Sequence, residues 1–187
     1  FTSTANSVNT TITNNVITLK SDATTNALHG INNSAGSTAA NNTITIANNI
    51  VTGCSYLTAT TGLFNGILNS GSAAFINIHG NVVTNNIQAG TGTMTLLDAG
   101  GAATSIVNMY NNVVSGNQKT GVSGTIFSAR AAGETTFYNN NLFNNGFTSS
   151  SGTVSAIVYG YYNFGSPLFE EIYNNNIYNL YVQGTST

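Results

Sequence analysis

The chain contains 187 residues, of which only 4% are charged, and its formal net charge is −2. Ordinary soluble proteins have about 25% charged residues, so this chain relies on amide and hydroxyl groups to contact water. It has no basic patch that could follow a phosphate backbone, and no apolar run approaches the roughly 18 residues of a membrane span. We therefore predict neither nucleic-acid binding nor membrane insertion. Cys54 is the single cysteine, which excludes an internal disulfide, and we interpret it as a small buried residue.

A repeat of Asn pairs runs through the whole chain. Each unit places Asn-Asn, or in one case Gly80-Asn81, between two apolar segments. The second residues of these pairs follow one another at spacings of 34, 32, 31, 29 and 35 residues. They are Asn15, Asn49, Asn81, Asn112, Asn141 and Asn176. A fixed period between about 20 and 50 residues is the signature of a stacked-repeat architecture.

In chain order, each unit predicts a strand, a sharp corner, a second strand and then a third. Apolar and polar residues alternate before the Asn pair, as in segments 43–46, 75–78 and 106–109, which is the period of a half-buried strand. Asn suits the corner because it tolerates the left-handed backbone conformation. The third strand follows a variable loop, and we align segments 28–30, 64–66, 97–99, 127–129 and 158–160 in it.

These elements predict an all-β fold, a right-handed parallel β-helix of about six coils with three strands each. Stacked Asn side chains would form a ladder along one corner, with one amide donating to the next. Two units, 138–142 and 173–177, contain an additional Asn. A one-residue bulge there would keep Phe137 and Ile172 facing the interior. We predict one solenoid domain over residues 1–187, as a fragment of a longer repeat protein.

Candidate chemical groups are few, since the chain has only five carboxylates. They form no paired set, so we predict no catalytic residue, no metal site and no cofactor. The best cluster combines Asp98, Arg130 and Glu134, with Asp98 and Arg130 on one face of neighbouring coils. We place His29 in the column of Asp98, two coils away. This cluster is either a small acid–base or sugar-binding site, or an exposed ion pair that contributes under about 1 kcal/mol.

Tyrosines concentrate toward the C-terminus, where seven of the nine lie between Tyr138 and Tyr181. Tyr159, Tyr161 and Tyr162 form a group that could stack on sugar rings, or could simply widen the solenoid near a junction. His79 falls in a column with Ala47, Tyr110, Tyr138 and Tyr173. That column predicts a stacked outer ladder rather than a set of metal ligands.

The segment 172–180, Ile-Tyr-Asn-Asn-Asn-Ile-Tyr-Asn-Leu, follows Val-Tyr-Gly-Tyr at 158–161. This pattern resembles the β-helix repeats of very large secreted surface proteins of Bacteroidetes-type bacteria. The resemblance extends over nearly the whole chain and is compositional and repetitive. It implies an extracellular or cell-surface setting, and it implies no fixed catalytic residues.

The sequence favours a non-catalytic structural or adhesive solenoid segment of a large surface protein or filament. Its expected partners are neighbouring repeats or subunits of the same protein, joined end to end, together with surface glycans. The alternative is a carbohydrate-active enzyme or carbohydrate-binding module on a pectate-lyase-like β-helix. Ice binding through Thr-rich faces is a weaker reading, because the Thr-x-Thr pattern does not stay in one column.

Overall fold

The computed structural model describes residues 9–37, 41–150 and 154–184 of the chain. These residues form 22 β-strands and no helix, in a parallel β-solenoid. None of the described residues belongs to a helix that is long and apolar enough to cross a membrane.

The strands stack into four parallel sheets, which we number in their order around a coil. Sheet 1 contains β1 (Thr10–Thr13), β4 (Thr43–Ala47), β8 (Phe75–His79), β12 (Ile106–Tyr110), β16 (Glu134–Tyr138) and β20 (Glu170–Tyr173). Sheet 2 contains β2 (Val16–Ile17), β5 (Ile50–Thr52), β9 (Val82–Thr84), β13 (Val113–Ser115), β17 (Asn141–Phe143) and β21 (Asn176–Tyr178). Sheet 3 contains β6 (Ser55–Tyr56), β10 (Ile87–Gln88), β14 (Gln118–Lys119), β18 (Gly146–Ser149) and β22 (Tyr181–Gly184). Sheet 4 contains β3 (Leu28–Asn33), β7 (Phe64–Asn69), β11 (Met94–Asp98), β15 (Ser123–Ala131) and β19 (Ser155–Asn163).

The register of sheet 1 confirms the predicted period. Successive partners in one of its columns are Thr11, Thr45, Asn77, Asn108, Thr136 and Glu171. Five turns therefore take the 160 residues from Thr11 to Glu171, a mean of 32 per turn. The all-β solenoid is confirmed, and its described part amounts to about five turns.

The predicted number of strands per coil is wrong, because each coil has four strands rather than three. A second corner separates sheet 2 from sheet 3, five residues after the first. Left-handed residues occupy the first corner at Asn14, Asn48, Gly80, Asn111, Asn139 and Asn174. They occupy the second corner at Gly53, Asn85, Gly116, Asn144 and Asn179. Asn and Gly recur at both corners because they adopt positive φ at the lowest steric cost.

Aligned apolar side chains fill the interior of the solenoid. One inward column of sheet 1 contains Ile46, Ile78, Met109 and Phe137, which are all fully buried. The facing column of sheet 2 contains the buried residues Val51, Val83, Val114 and Leu142. Full burial of such a side chain contributes about 1.5–3 kcal/mol, so stacking of the coils is the main source of stability.

The predicted Asn ladder runs along the corner between sheets 1 and 2. In each step, the backbone N–H and the Nδ2 of one Asn donate to Oδ1 of the Asn in the next coil, at 2.9–3.1 Å. Its members are Asn15, Asn49, Asn81, Asn112, Asn140 and Asn175. The Asn side chains thus satisfy buried backbone groups at a corner where regular pairing stops.

The predicted places of Asn141 and Asn176 in this ladder are wrong. Asn141 pairs with Val113 at the start of a sheet 2 strand, and Asn176 pairs with Asn141. The third Asn of each triplet replaces an outer strand residue and is not inserted. No bulge is needed, since Phe137 pairs with Met109 and Ile172 pairs with Phe137 in unbroken register.

A second ladder, which the sequence analysis missed, lines the corner between sheets 2 and 3. Asn86, Asn117 and Asn145 repeat the same pattern of paired hydrogen bonds. Cys54 precedes Asn86 in this column, and its backbone N–H donates to Oδ1 of Asn86 at 2.9 Å. Cys54 is fully buried, as predicted, and burial raises the pKa of its thiol. Asn33 and Asn69 form a shorter buried pair at the end of sheet 4.

Candidate functional site

A pocket of about 350 Å³ opens on the outer face of sheet 4. It spans the first four coils, between two columns that pair in register along the sheet. One column contains His29, Asn65, Thr95, Phe127 and Tyr159. The other contains Asn32, Leu68, Asp98, Arg130 and Tyr162. The lining is formed by Ala27, His29, Leu63, Asn65, Leu68, Thr93, Thr95, Phe127 and Arg130.

Arg130 and Asp98 form a close ion pair beside this pocket. They are direct register partners, and Nε and Nη2 of Arg130 each lie 2.7 Å from Oδ2 of Asp98. The expectation of an exposed pair is wrong, because Asp98 is only 1% exposed. Burial raises the pKa of Asp98, while the charge and hydrogen bonds of Arg130 and the N–H of Gly100 partly offset that rise. Asp98 is therefore a buried counter-ion that holds the Arg130 guanidinium in place.

Two aromatic rings also contact the Arg130 guanidinium. Its Cζ lies 5.3 Å from the ring centroid of Phe127 and 5.1 Å from that of Phe164. Both distances are within the range of a cation–π contact. Arg130 is thus fixed on three sides, and its orientation toward the pocket costs little further side-chain entropy.

An aromatic shelf continues the pocket toward the fifth coil. The rings of Phe127 and Tyr159 stack at a centroid distance of 5.0 Å. The ring of Tyr162 tilts against both, at 5.5 Å from Phe127 and 5.1 Å from Tyr159. We call these three residues the aromatic shelf. Of the predicted tyrosines, Tyr162 is the register partner of Arg130, and Tyr159 is the register partner of Phe127.

Besides Arg130, the polar side chains that line the pocket are those of His29, Asn65, Thr93 and Thr95. Nδ2 of Asn65 lies 3.1 Å from Nδ1 of His29, and an amide nitrogen can only donate. Nδ1 is therefore the acceptor, which leaves the proton on Nε2. Burial lowers the pKa of His29, so the imidazole is uncharged at neutral pH. Asn65 and Thr95 are themselves buried, and they form the polar floor of the pocket.

Three sequence-based placements differ from the structure. His29 does not share a column with Asp98, because its column continues through Asn65 and Thr95. Glu134 pairs with Ile106 in sheet 1, and none of its described contacts joins it to Arg130. Tyr161 points inward, where its ring stacks on Phe137 at 4.3 Å. Its hydroxyl donates to Glu170 at 2.7 Å, and burial raises its pKa.

The predicted outer ladder on sheet 1 is confirmed. Rings of His79, Tyr110, Tyr138 and Tyr173 stack one on the next, with centroid distances of 4.7, 4.9 and 5.1 Å. A shorter stack on sheet 2 joins Phe143 and Tyr178 at 5.1 Å. Burial lowers the pKa of His79, so this ladder is uncharged at neutral pH. These stacks stabilise the outer surface of sheets 1 and 2.

The last coil exposes residues of the interior columns. Ile172 is 55% exposed, although its partner Phe137 is fully buried. Ile177 and Val182 are 42% and 47% exposed, although their partners Leu142 and Phe147 are also fully buried. Leu168 and Phe169, in the turn before β20, are exposed as well. This end of the solenoid is an apolar surface, which we call the exposed end.

Sequence reasoning also missed an inward polar column in sheet 3. It contains Tyr56, Gln88 and Lys119, which pair in register and are fully buried. Each side chain donates to a carbonyl of the loop that leads to sheet 4, those of Asn26, Gly62 and Gly90 respectively. This column could have been found from sequence spacing. Tyr56, Gln88 and Lys119 each lie two places after a residue of the second ladder column, namely residues 54, 86 and 117.

Among the described residues, no group of three His, Cys, Asp or Glu side chains is arranged to hold a metal ion. In comparisons with protein families, curated proteins and solved structures, no match to this chain was found.

Proposed function

We propose that this chain is a structural, adhesive segment of a larger solenoid, which joins end to end with further coils of the same kind. The observation that carries the proposal is the exposed end. Its apolar residues occupy the same columns that are fully buried one coil earlier. A further coil placed on this end would bury them, and each side chain so covered contributes about 1.5–3 kcal/mol.

Backbone hydrogen bonding supports the same arrangement. Asn176 and Tyr181 donate their N–H groups back to Asn140 and Asn145 of the preceding coil. In the Asn ladder, every member from Asn15 to Asn140 donates its N–H to the next coil. Asn175 occupies the same position in the last coil. A following coil with Asn at this corner would continue the ladder, and its strands would pair with an otherwise open edge.

The setting that we propose is extracellular or at the cell surface, within a large protein or filament of the kind found in Bacteroidetes-type bacteria. The support is the resemblance of segments 158–161 and 172–180 to the repeats of such proteins. A chain in which only 4% of the residues are charged also allows coils to stack without strong repulsion.

Analytical ultracentrifugation of matched variants tests the proposal. Ile177→Asp and Asn176→Asp each add one negative charge to the same strand, but Ile177 lies in an interior column and Asn176 in an outer one. We expect the mass of the wild type and of Asn176→Asp to rise with protein concentration, because an outer charge leaves the end surface intact. Ile177→Asp is expected to remain a folded monomer.

A wild type that sediments as a monomer at every concentration would contradict end-to-end joining. Equal disruption by the two substitutions would also contradict it, since the contact would then lie on the outer surface. Circular dichroism and the unfolding midpoint of each variant establish that both are folded.

A further inference from the structure

We propose that the pocket of sheet 4 binds a neutral pyranose ring, and that the aromatic shelf receives the next ring of the same glycan chain. This inference is independent of end-to-end joining, since the pocket lies on the side of the solenoid. It rests on the size of the pocket, on its mixture of apolar and polar groups, and on the charge balance around Arg130.

The size of the pocket fits a small ligand. Ligand sites generally have volumes of about 300–1,000 Å³, and the 350 Å³ found here is near the lower limit. The polar floor of Asn65 and Thr95 offers an amide and a hydroxyl, and His29 offers a ring N–H. A sugar ring presents several hydroxyl groups, each able to donate and accept, and these would match such a floor.

The apolar lining supplies the second requirement. Leu63, Leu68 and Phe127 line the same pocket. A pyranose has C–H faces that pack against apolar and aromatic side chains, while its hydroxyl groups turn toward polar atoms. Phe127 belongs both to the pocket and to the shelf, so the two surfaces are continuous. A glycan chain that follows them would lie along the solenoid axis, from the first coils toward Tyr159 and Tyr162.

The charge balance favours a neutral sugar over an acidic one. The chain has three Lys and Arg residues. Lys20 pairs with Asp22 at 3.4 Å, and Lys119 is buried in sheet 3. Arg130 borders the pocket, but its charge is met by Asp98 at 2.7 Å. Its role is then to offer its remaining N–H groups to a sugar hydroxyl, in a fixed orientation.

Isothermal titration calorimetry of the full chain tests the inference. The probes are neutral hexasaccharides of the glucan, mannan and xylan types, with hexagalacturonate as the acidic probe. We expect at least one neutral probe to bind, and Phe127→Ala to weaken that binding at least tenfold. Phe143→Ala is the matched control, because Phe143 forms an equivalent outer stack with Tyr178 on sheet 2. Its affinity should equal that of the wild type.

Thr95→Val provides a second variant of nearly unchanged shape, which removes one hydroxyl from the pocket floor. It should weaken binding by a factor of about three or more. If Phe127→Ala does not fold, the affinity of Thr95→Val tests whether the glycan binds in this pocket. Absence of binding by every neutral probe would overturn the inference. Equal losses in Phe127→Ala and Phe143→Ala, or preferential binding of hexagalacturonate, would also overturn it.

Discussion

The middle coils and the last coil have the same side-chain columns but very different burial. Ile78 in the third coil is fully buried, whereas Ile172, in the same column of the last coil, is 55% exposed. The residue type is not the cause, since both residues are Ile and both lie two places before the Asn or Gly of the corner. The difference is the neighbouring coil. In this fold a coil is stabilised by the coils on either side, so an uncovered coil gains only part of that energy.

The largest expected difference between the two regions comes from a charge placed in this shared column. Ile78→Asp should lower the free energy of unfolding by more than about 4 kcal/mol, because an unpaired carboxylate would be buried. Ile172→Asp should cost less than about 1 kcal/mol in the monomer, because its side chain reaches water. Chemical denaturation at low protein concentration measures both values. Similar losses would show that the last coil is as tightly enclosed as the middle of the solenoid.

The Asn ladder offers a smaller and more specific comparison. The side chain of Asn112 is buried and donates to Ile78 and Asn140, while it accepts two bonds from Asn81. We expect Asn112→Ala to cost about 2–4 kcal/mol, because it leaves buried groups without partners.

Asn175 is only half-buried, and water can replace the bonds that its side chain makes. Asn175→Ala should therefore cost about 1 kcal/mol or less. The same denaturation experiment provides the measurement. A greater loss for Asn175→Ala than for Asn112→Ala would mean that the ladder is anchored at its end rather than along its length.

The last comparison of the two interiors uses pH rather than a change of contacts. Lys119 is buried in the fourth coil, where its Nζ donates to Gly90 at 2.6 Å, and burial lowers its pKa from 10.5 to about 8. Val182 lies in the same column two coils later, after Phe147. Between pH 8 and 10.5 the unfolded chain binds more protons at this residue than the folded chain. Stability should therefore rise with pH over that window, and the gain should be absent below it.

Comparison with Lys119→Met isolates this effect from other titrating groups. The unfolding midpoint of the wild type should rise relative to that of the variant between pH 8 and 10. Parallel curves for the two proteins would show that Lys119 keeps an ordinary pKa in the folded chain.

Sheets 1 and 2 could be predicted from sequence because their signals are strong and local. Their strands alternate apolar and polar residues, and the Asn corner fixes where one sheet ends and the next begins. Sheet 3 could not be recognised in this way. Its strands β6, β10 and β14 have two residues each, and its inward column mixes Tyr56, Gln88 and Lys119. Such short polar strands carry no hydrophobic period.

The candidate site was only partly accessible from sequence. The proximity of Asp98 and Arg130 followed from the repeat, but their burial did not. Loops of variable length precede sheet 4, so its register could not be fixed by counting from the corner. The alignment of His29 with Asp98 failed for that reason. The pocket itself needs three-dimensional placement, since its lining comes from four coils.

Hydrogen exchange measured by mass spectrometry at increasing protein concentration is the most direct test of end-to-end joining. At low concentration, amides in strands β20, β21 and β22 that point away from the preceding coil should exchange rapidly, whereas those of β16 and β17 should be protected. At concentrations where the protein associates, we predict that β20, β21 and β22 become protected while the outer face of sheet 4 does not change. Rapid exchange in these three strands at every concentration, or new protection on sheet 4 instead, would contradict the account.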